Sequence, residues 1–483
     1  MAAPGHAGEF DVVRARIHHY LTEEQIPSIS IAVVRGDKIL WEEGFGWADR
    51  EKQIPATART PYMLASASKP IAATAVMMAQ QKGILSLDES VNKYLGKVRL
   101  RTQLGDASKT TVRDVLMHRS GLPNYAEVFY VDEFNKAPAM ETLIHDYGTT
   151  MVPHGEFHYS NMGYPLLAHV VSRTSGQDFS AFVREQVFVP LGMDSSFVPT
   201  GKQLTVHRAI RYGQDHRRLR EFATTIVTAA EIYSSVHDLA RFAMFHMNVE
   251  RADMKRLLSK KAVVDMQRDA TEINRIHYRY GTGWSIGKDA KGRRQVFHGG
   301  GFHGCDSHMT LIPQEKVAVI VLSNTNRRWP GIAVSQDILD RTFAILLNDT
   351  IENVRLDYGY DASGDTQRPK ELSGRWKGTV RTPKRELPVK MWFQPDGDIH
   401  VKLGDQLPTL LNHAVFSDPV LYGDMGGNIG TAEAHHPAED KLEWNVRLID
   451  GKLCGVIYVN YSGEPENAIG YTLPYWVELK PRK

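Results

Sequence analysis

The chain has 483 residues, more than one hydrophobic core usually serves, so a large domain with a smaller companion is expected. Hydrophobic content of 42%, aromatic content of 9% and charged content of 24% exclude disordered and fibrous classes. A net charge of +2 without a long basic run excludes the electrostatic footprint of a nucleic-acid or anionic-membrane binder.

Small neutral or mixed-charge substrates fit this balance better. No apolar stretch is long enough for a transmembrane segment, and "MAAPGHAGEF" lacks the basic-then-apolar pattern of a signal peptide. The compartment, periplasmic or secreted against cytoplasmic, stays open. Cys305 and Cys454 are far apart in sequence, which excludes a disulfide framework.

In chain order, Phe10 to Glu24 predicts a helix, and "SISIAVVRGDKILWEEGFGWA" predicts a hairpin turning at Arg35, Gly36 and Asp37. "MLASASKPIAATAVMMAQ" follows, with Lys69 as its one charged side chain. Pro70 cannot sit deep inside a helix, so the helix carrying Ile71 to Lys82 starts close to Ser66, with Gly83 as its stop. Helical patterns dominate to about Asn248, and "KRLLSKKAVVDMQ" adds another helix. "QVFHGGG", "HMTLIP" and "VAVIVLSN" predict strands, and "VSQDILDRTFAILLN" an amphipathic helix. Strands at both ends with helices between imply one sheet whose strands are distant in sequence.

Beyond Asp349 the character changes. The expected organisation is a first domain over 1–350, a linker over 351–369 containing the polar "YDASGDTQRPKEL", and a second domain over 370–483. "RWKGTV", "LPVKMWFQPDGDIHVKL", "LEWNVRLIDGKLCGVIYVNY" and "YTLPYWVEL" alternate apolar with polar positions, and Asp396-Gly397 and Asp450-Gly451 mark turns, which predicts a small antiparallel β-barrel. "LYGDMGGNIGTAEAHHP", from Leu421 to Pro437, reads as a long Gly-rich loop that narrows the mouth of the site or simply joins two strands.

Ser66 and Lys69 are three residues apart and share one face of a first helical turn, where the amine reaches the hydroxyl. Burial lowers a lysine pKa and frees the amine to accept a proton near neutral pH. A serine at a helix start also has the positive end of the dipole behind it. Taken alone, Ser-x-x-Lys is an N-cap followed by a solvated lysine. Two further segments change that balance. In "HYSNMGYPLLAHVV", Tyr159, Ser160 and Asn161 precede a helix that holds Pro165 in its first turn and stops at Gly176. In "VFHGGGFHG", His298 leads Gly299, Gly300 and Gly301 along a strand, where a glycine run asks for close approach by another backbone or a ligand.

Together these three elements resemble the penicillin-recognising serine hydrolases, and more narrowly the class C β-lactamase, esterase and D-aminopeptidase branch. The resemblance spans roughly residues 10 to 348, including "HRSGLPNY", "SNMGYPLLAHVVSRTSG", "VPLGMDSSF" and "YGTGWSIG". It implies an α/β fold of the α+β type, with an antiparallel sheet flanked by helices and an all-helical region, followed here by a lipocalin-like barrel. It also implies Ser66 as nucleophile, Lys69 as its proton acceptor and Tyr159 as proton carrier to the leaving group and later for the deacylating water. Asn161 would orient Lys69 and the substrate, His298 would stand beside the nucleophile, and Gly300 and Gly301 would line the substrate site. The N–H groups of Ser66 and Gly301 would form the oxyanion hole, with no cofactor or metal required.

The chain departs from that pattern in two places. His298 stands where relatives usually place a lysine that holds a substrate carboxylate, which disfavours efficient β-lactamase activity. Ala229, Ala230 and Glu231 replace a frequent Ala-Gly-Gly, adding bulk and charge. A rival use of His298, His303, Cys305, Asp306 and His308 is metal binding, which strand alternation opposes by splitting the set between two faces. His154 and His158 read as part of a polar loop. The resulting expectation is a carboxylesterase or D-aminopeptidase-like peptidase acting on a small ester, amide or peptide. The alternatives are a weak β-lactamase or DD-peptidase, or a silent ligand-binding protein. The oligomeric state is not legible from the chain.

Overall fold

The computed structural model describes residues 8–131, 137–200, 207–268, 271–272, 278–326, 328–329, 332–356, 369–417, 419–431, 441–461 and 470–482. A nine-stranded antiparallel sheet forms its first half. Its order runs Thr271–Glu272, Arg279–Tyr280, Ser285–Lys288, Arg294–Phe302, Cys305–Ile312, Val317–Ser323, Ser28–Arg35, Lys38–Asp49 and Ile54–Pro55. The expected N-terminal hairpin therefore pairs with the last central strand, Ile29 opposite Ser323 and Arg35 opposite Val317.

Strand periodicity explains why this sheet is covered on both faces. Ile29, Ile31, Val33, Val319 and Val321 point into one core, with Ile17 of the helix Asp11–Thr22 and Ile338 and Phe343 of the helix Val334–Leu346. Their neighbours Ala32, Val34, Ala318, Ile320 and Leu322 point into the other core, with the helices Lys69–Gln81, Gly163–Ser175 and Val236–His246. Helix ends follow the predicted stops, since Gly83 and Gly176 both take positive φ, +70° and +73°.

The second half is also an antiparallel sheet. Its main path runs Thr409–Leu410, Ile399–Leu403, Glu386–Phe393, Gly374–Arg381, Tyr471–Pro481, Lys452–Tyr461, Lys441–Ile449, Val420–Gly426 and Asn412–Ser417. Leu411 alone separates the two end strands in sequence, so the sheet curls until its ends nearly meet. Asp450 and Gly451 turn with φ of +50° and +72°, as an Asp-Gly hairpin requires.

Two expectations change here. The start of the Gly-rich segment, expected to be loop, is strand: Val420–Gly426 pairs on both sides, with Gly423 opposite Trp444. Gly423 belongs in that strand because a Cβ there would come within 2.6 Å of the Leu411 side chain. Thr431 bonds Tyr475 of the same sheet at 2.9 Å, and residues 432–440 lie outside the described residues. The expected linker over 351–369 starts with a short helix, Ile351–Val354, whose Val354 is buried against the first sheet. Residues 357–368 lie outside the described residues.

Candidate active site

Ser66 stands in a 3-10 turn, Ala65–Ser68, and the α-helix proper begins at Lys69 with Pro70 in its first turn. The turn is held tightly. Ala65 takes a left-handed φ of +44°, a strained conformation for a residue with a Cβ, immediately before the serine. Leu64 donates its N–H to Ile232 O at 2.9 Å, and its carbonyl accepts from Ser307 Oγ at 2.6 Å. The glycine strand Arg294–Phe302 lies against this turn so closely that a Cβ on Gly300 would sit 2.1 Å from Leu64 O. That contact answers why glycine is needed there. A Cβ on Gly301 would meet the Asn326 amide at 3.3 Å.

Lys69 is fully buried. Its Nζ lies 3.1 Å from Ser66 Oγ, 2.8 Å from Asn161 Oδ1 and 3.1 Å from Ala229 O. Burial holds its pKa well below that of an ordinary lysine. A neutral amine has two N–H groups and one lone pair. The Asn161 and Ala229 oxygens can take only the N–H groups, which leaves the lone pair for the Ser66 hydroxyl proton. Tyr159 donates its hydroxyl to Ser66 Oγ at 2.9 Å, and burial raises its pKa so that the phenol keeps its proton. Ser66 thus stands between a proton acceptor and a proton donor.

His298 is buried, and both ring nitrogens are engaged within the protein. Nδ1 lies 2.7 Å from Gly299 O and must donate to it, so Nε2 accepts from Tyr280 OH at 3.1 Å. Burial and the nearby Lys69 push its pKa down to about 3, so the ring is uncharged. Among the described residues no group of His, Cys, Asp and Glu forms a metal-ligand set. Asp306 instead accepts the Ser335 N–H at 3.2 Å, and Cys305 and Cys454 are buried free thiols.

The sequence reading missed the residues behind Tyr159. His118 is fully buried with φ of +56°, its Nδ1 accepts the Ser160 N–H at 3.1 Å, and its ring lies 4.3 Å from that of Tyr159. Asn124 Oδ1 accepts the Asn161 N–H at 3.1 Å. Both residues lie in "HRSGLPNY", whose likeness to relatives was the available signal. His154 and His158 do lie in a connecting segment, but each is tied down: His154 Nε2 lies 2.9 Å from Asp114 Oδ2, and His158 bonds Tyr458 of the second sheet.

Glu231 occupies one of the departing positions, two residues after the carbonyl that holds Lys69. Its carboxyl is buried and accepts the Thr224 N–H, and burial pushes its pKa up to about 7 against the pull of Arg211 and Arg208. An unfolded chain would release this proton first as pH rises, so the folded state loses stability between the ordinary value of 4.5 and about 7. That loss is about 3 kcal/mol. Glu231→Gln keeps the shape and the acceptor oxygen, so the variant should hold its urea midpoint across this range and exceed wild type at pH 8. Urea denaturation at a series of pH values checks this. Parallel pH curves for the two proteins would refute it.

A Beta-lactamase family model matches residues 13–340 of the chain that builds this geometry. The chain belongs to the Beta-lactamase family. Protein flp of Staphylococcus aureus strain MW2 is 25% identical over 319 residues, covering 65% of this chain and 62% of its own. The match thus spans less than two thirds of that relative's length. The octameric penicillin-binding protein homologue of Pyrococcus abyssi shares the fold with a TM-score of 0.61, at 22% identity over 97% of this chain and 99% of its own. SurE solved with D-Leu does so at 0.60, with 18% identity over 96% and 99%. Both fold likenesses therefore take in the second sheet as well as the Beta-lactamase family region.

Proposed function

We propose that the protein is a serine hydrolase working through an acyl-enzyme on Ser66, and that its substrates are small esters or aminoacyl amides, as for a carboxylesterase or a D-aminopeptidase-like peptidase. The observation that carries this reading is Ser66 Oγ placed 3.1 Å from the buried Lys69 amine, whose pKa burial holds well below that of an ordinary lysine, and 2.9 Å from the Tyr159 hydroxyl. In the proposed cycle Lys69 takes the serine proton as Oγ attacks the carbonyl carbon, the Ser66 and Gly301 N–H groups hold the developing oxyanion, and Tyr159 protonates the leaving group as its bond to carbon breaks and is reprotonated by Lys69; water, giving a proton to Tyr159 as that phenol passes its own to Ser66 Oγ, then releases the acid. Asn161, with Oδ1 turned to Lys69, presents its amide N–H groups to the substrate carbonyl. The uncharged His298 offers no partner for a substrate carboxylate, which favours neutral acyl groups over penicillins. The whole-length likeness to SurE, which has been solved with D-Leu, supports D-aminoacyl compounds among the amides to be tried.

A panel of p-nitrophenyl esters, D- and L-aminoacyl p-nitroanilides and a chromogenic cephalosporin tests the reading. The esters or D-aminoacyl amides should exceed the cephalosporin in kcat/KM. A cephalosporin value of about 10⁶ M⁻¹ s⁻¹ or more would overturn the preference. His298→Lys should narrow the gap for substrates bearing a carboxylate by about fivefold, the effect of an ion pair of about 1 kcal/mol, and leave neutral esters behind. Equal changes for charged and neutral substrates would remove His298 from substrate selection.

A further inference from the structure

The loop that carries Tyr159 and Asn161 rests on the second sheet. Met151 and Val152 pack against Val456, Tyr458 and Trp476. Arg447, buried on the strand Lys441–Ile449, reaches both Glu156 carboxylate oxygens at 2.9 Å. Tyr458, on the strand Lys452–Tyr461, touches the loop at the point nearest the site. Its hydroxyl bonds His158 Nε2, the residue before Tyr159, and accepts the Asn124 N–H at 3.4 Å. Asn124 in turn holds the Asn161 N–H through Oδ1 at 3.1 Å. The His158 and Tyr458 rings are nearly parallel, 12° apart with centroids separated by 6.1 Å. One phenol hydroxyl therefore links two segments that place Tyr159 and Asn161.

The second sheet also takes up the strand Ala126–Tyr130, just beyond Asn124, where Tyr471 and Thr472 pair with Glu127 and Ala126. That pairing holds the second sheet to this segment of the first half of the chain without the Tyr458 hydroxyl. The Tyr458 hydroxyl is thus not needed to dock the sheet, and its bonds run toward the Tyr159 loop. We infer that Tyr458 is a positioning residue, through which the second sheet sets where Tyr159 and Asn161 stand relative to Ser66. This rests on the reading of Tyr159 as proton donor to the leaving group. A loop free to shift by a fraction of an ångström would keep the substrate pocket but misplace the phenol, and reaction rates are steeply sensitive to such shifts.

The test is a double-mutant cycle on the full chain, using the best aminoacyl p-nitroanilide from the panel, whose leaving group must be protonated to depart. Tyr458→Phe removes the hydroxyl and keeps the ring. It should lower kcat by about tenfold with KM changed less than about twofold. Tyr159→Phe alone should lose far more, and adding Tyr458→Phe to it should cost clearly less than the tenfold seen on wild type, because the hydroxyl acts in part through Tyr159. Glu156→Gln, which keeps an acceptor oxygen for Arg447 but removes its counter-charge, should lower kcat in the same direction by a smaller factor, with its Tm measured alongside. If Tyr458→Phe and Glu156→Gln both keep wild-type kcat, or if the Tyr458→Phe loss persists in full on the Tyr159→Phe background, the inference is wrong. If Tyr159→Phe itself keeps wild-type turnover, the underlying reading of Tyr159 is what fails.

Discussion

Ser66→Ala is expected to lower kcat by about 10⁴-fold or more for ester and amide substrates alike, because it removes the hydroxyl proposed to carry the acyl group. The fold should survive. Ser66 Oγ bonds Lys69 and Tyr159, and Lys69 keeps Asn161 Oδ1 and Ala229 O when the hydroxyl is gone. Losing a helix-start serine costs about 1 kcal/mol. Intact-protein mass spectrometry after fluorophosphonate treatment separates the outcomes: one adduct on wild type, none on the variant. Labelling of the Ser66→Ala variant, or full activity in it, would sink the nucleophile assignment.

Lys69→Met should lower the acylation rate by about 10³-fold, within the range of a lost general base. The pH dependence identifies the cause. In wild type, kcat/KM should fall on the acid side as Lys69 takes up a proton and its lone pair disappears. The Lys69→Met variant should lack that limb. Wild-type stability should fall on the acid side as well. The folded pKa of Lys69 lies well below the ordinary 10.5, so as pH falls from there the unfolded chain binds the proton first and the folded state loses stability. Methionine carries no such charge. It leaves two acceptors without a donor, at about 1 to 3 kcal/mol each, and removes the amine whose burial makes stability fall with pH. The Tm of the variant should therefore change less than that of wild type as pH falls. A large drop in Tm together with lost activity would instead make Lys69 a structural residue.

Features that depend on local sequence were legible. Pro70 and Gly83 bound one helix, Gly176 ended another, and the two-faced apolar run Val317–Ser323 identified a central strand. The glycine run was legible as a demand for close approach, although only Gly300 meets the backbone of Leu64. Features that depend on partners far along the chain were not. The strand Val420–Gly426 looked like loop because its glycine makes room for Leu411, a contact set by how the sheet closes. His118, Tyr280 and Tyr458 are ordinary residues until folding brings them to Ser160, His298 and His158. Their roles come from the acceptors and donors they meet, and no spacing rule records that.

The pairing of Ser28–Arg35 with Val317–Ser323 bears on how the molecule is made. At ribosomal rates of about 5 to 20 residues per second, the early hairpin waits roughly 15 to 60 s for its partner strand to emerge. During that interval Ile29, Ile31 and Val33, buried in the finished protein, belong to an unpaired sheet edge. Recombinant yield should therefore be limited by aggregation of nascent chains more than by the stability of the finished fold, and abundant chaperone should recover soluble protein that a stabilising substitution elsewhere would not.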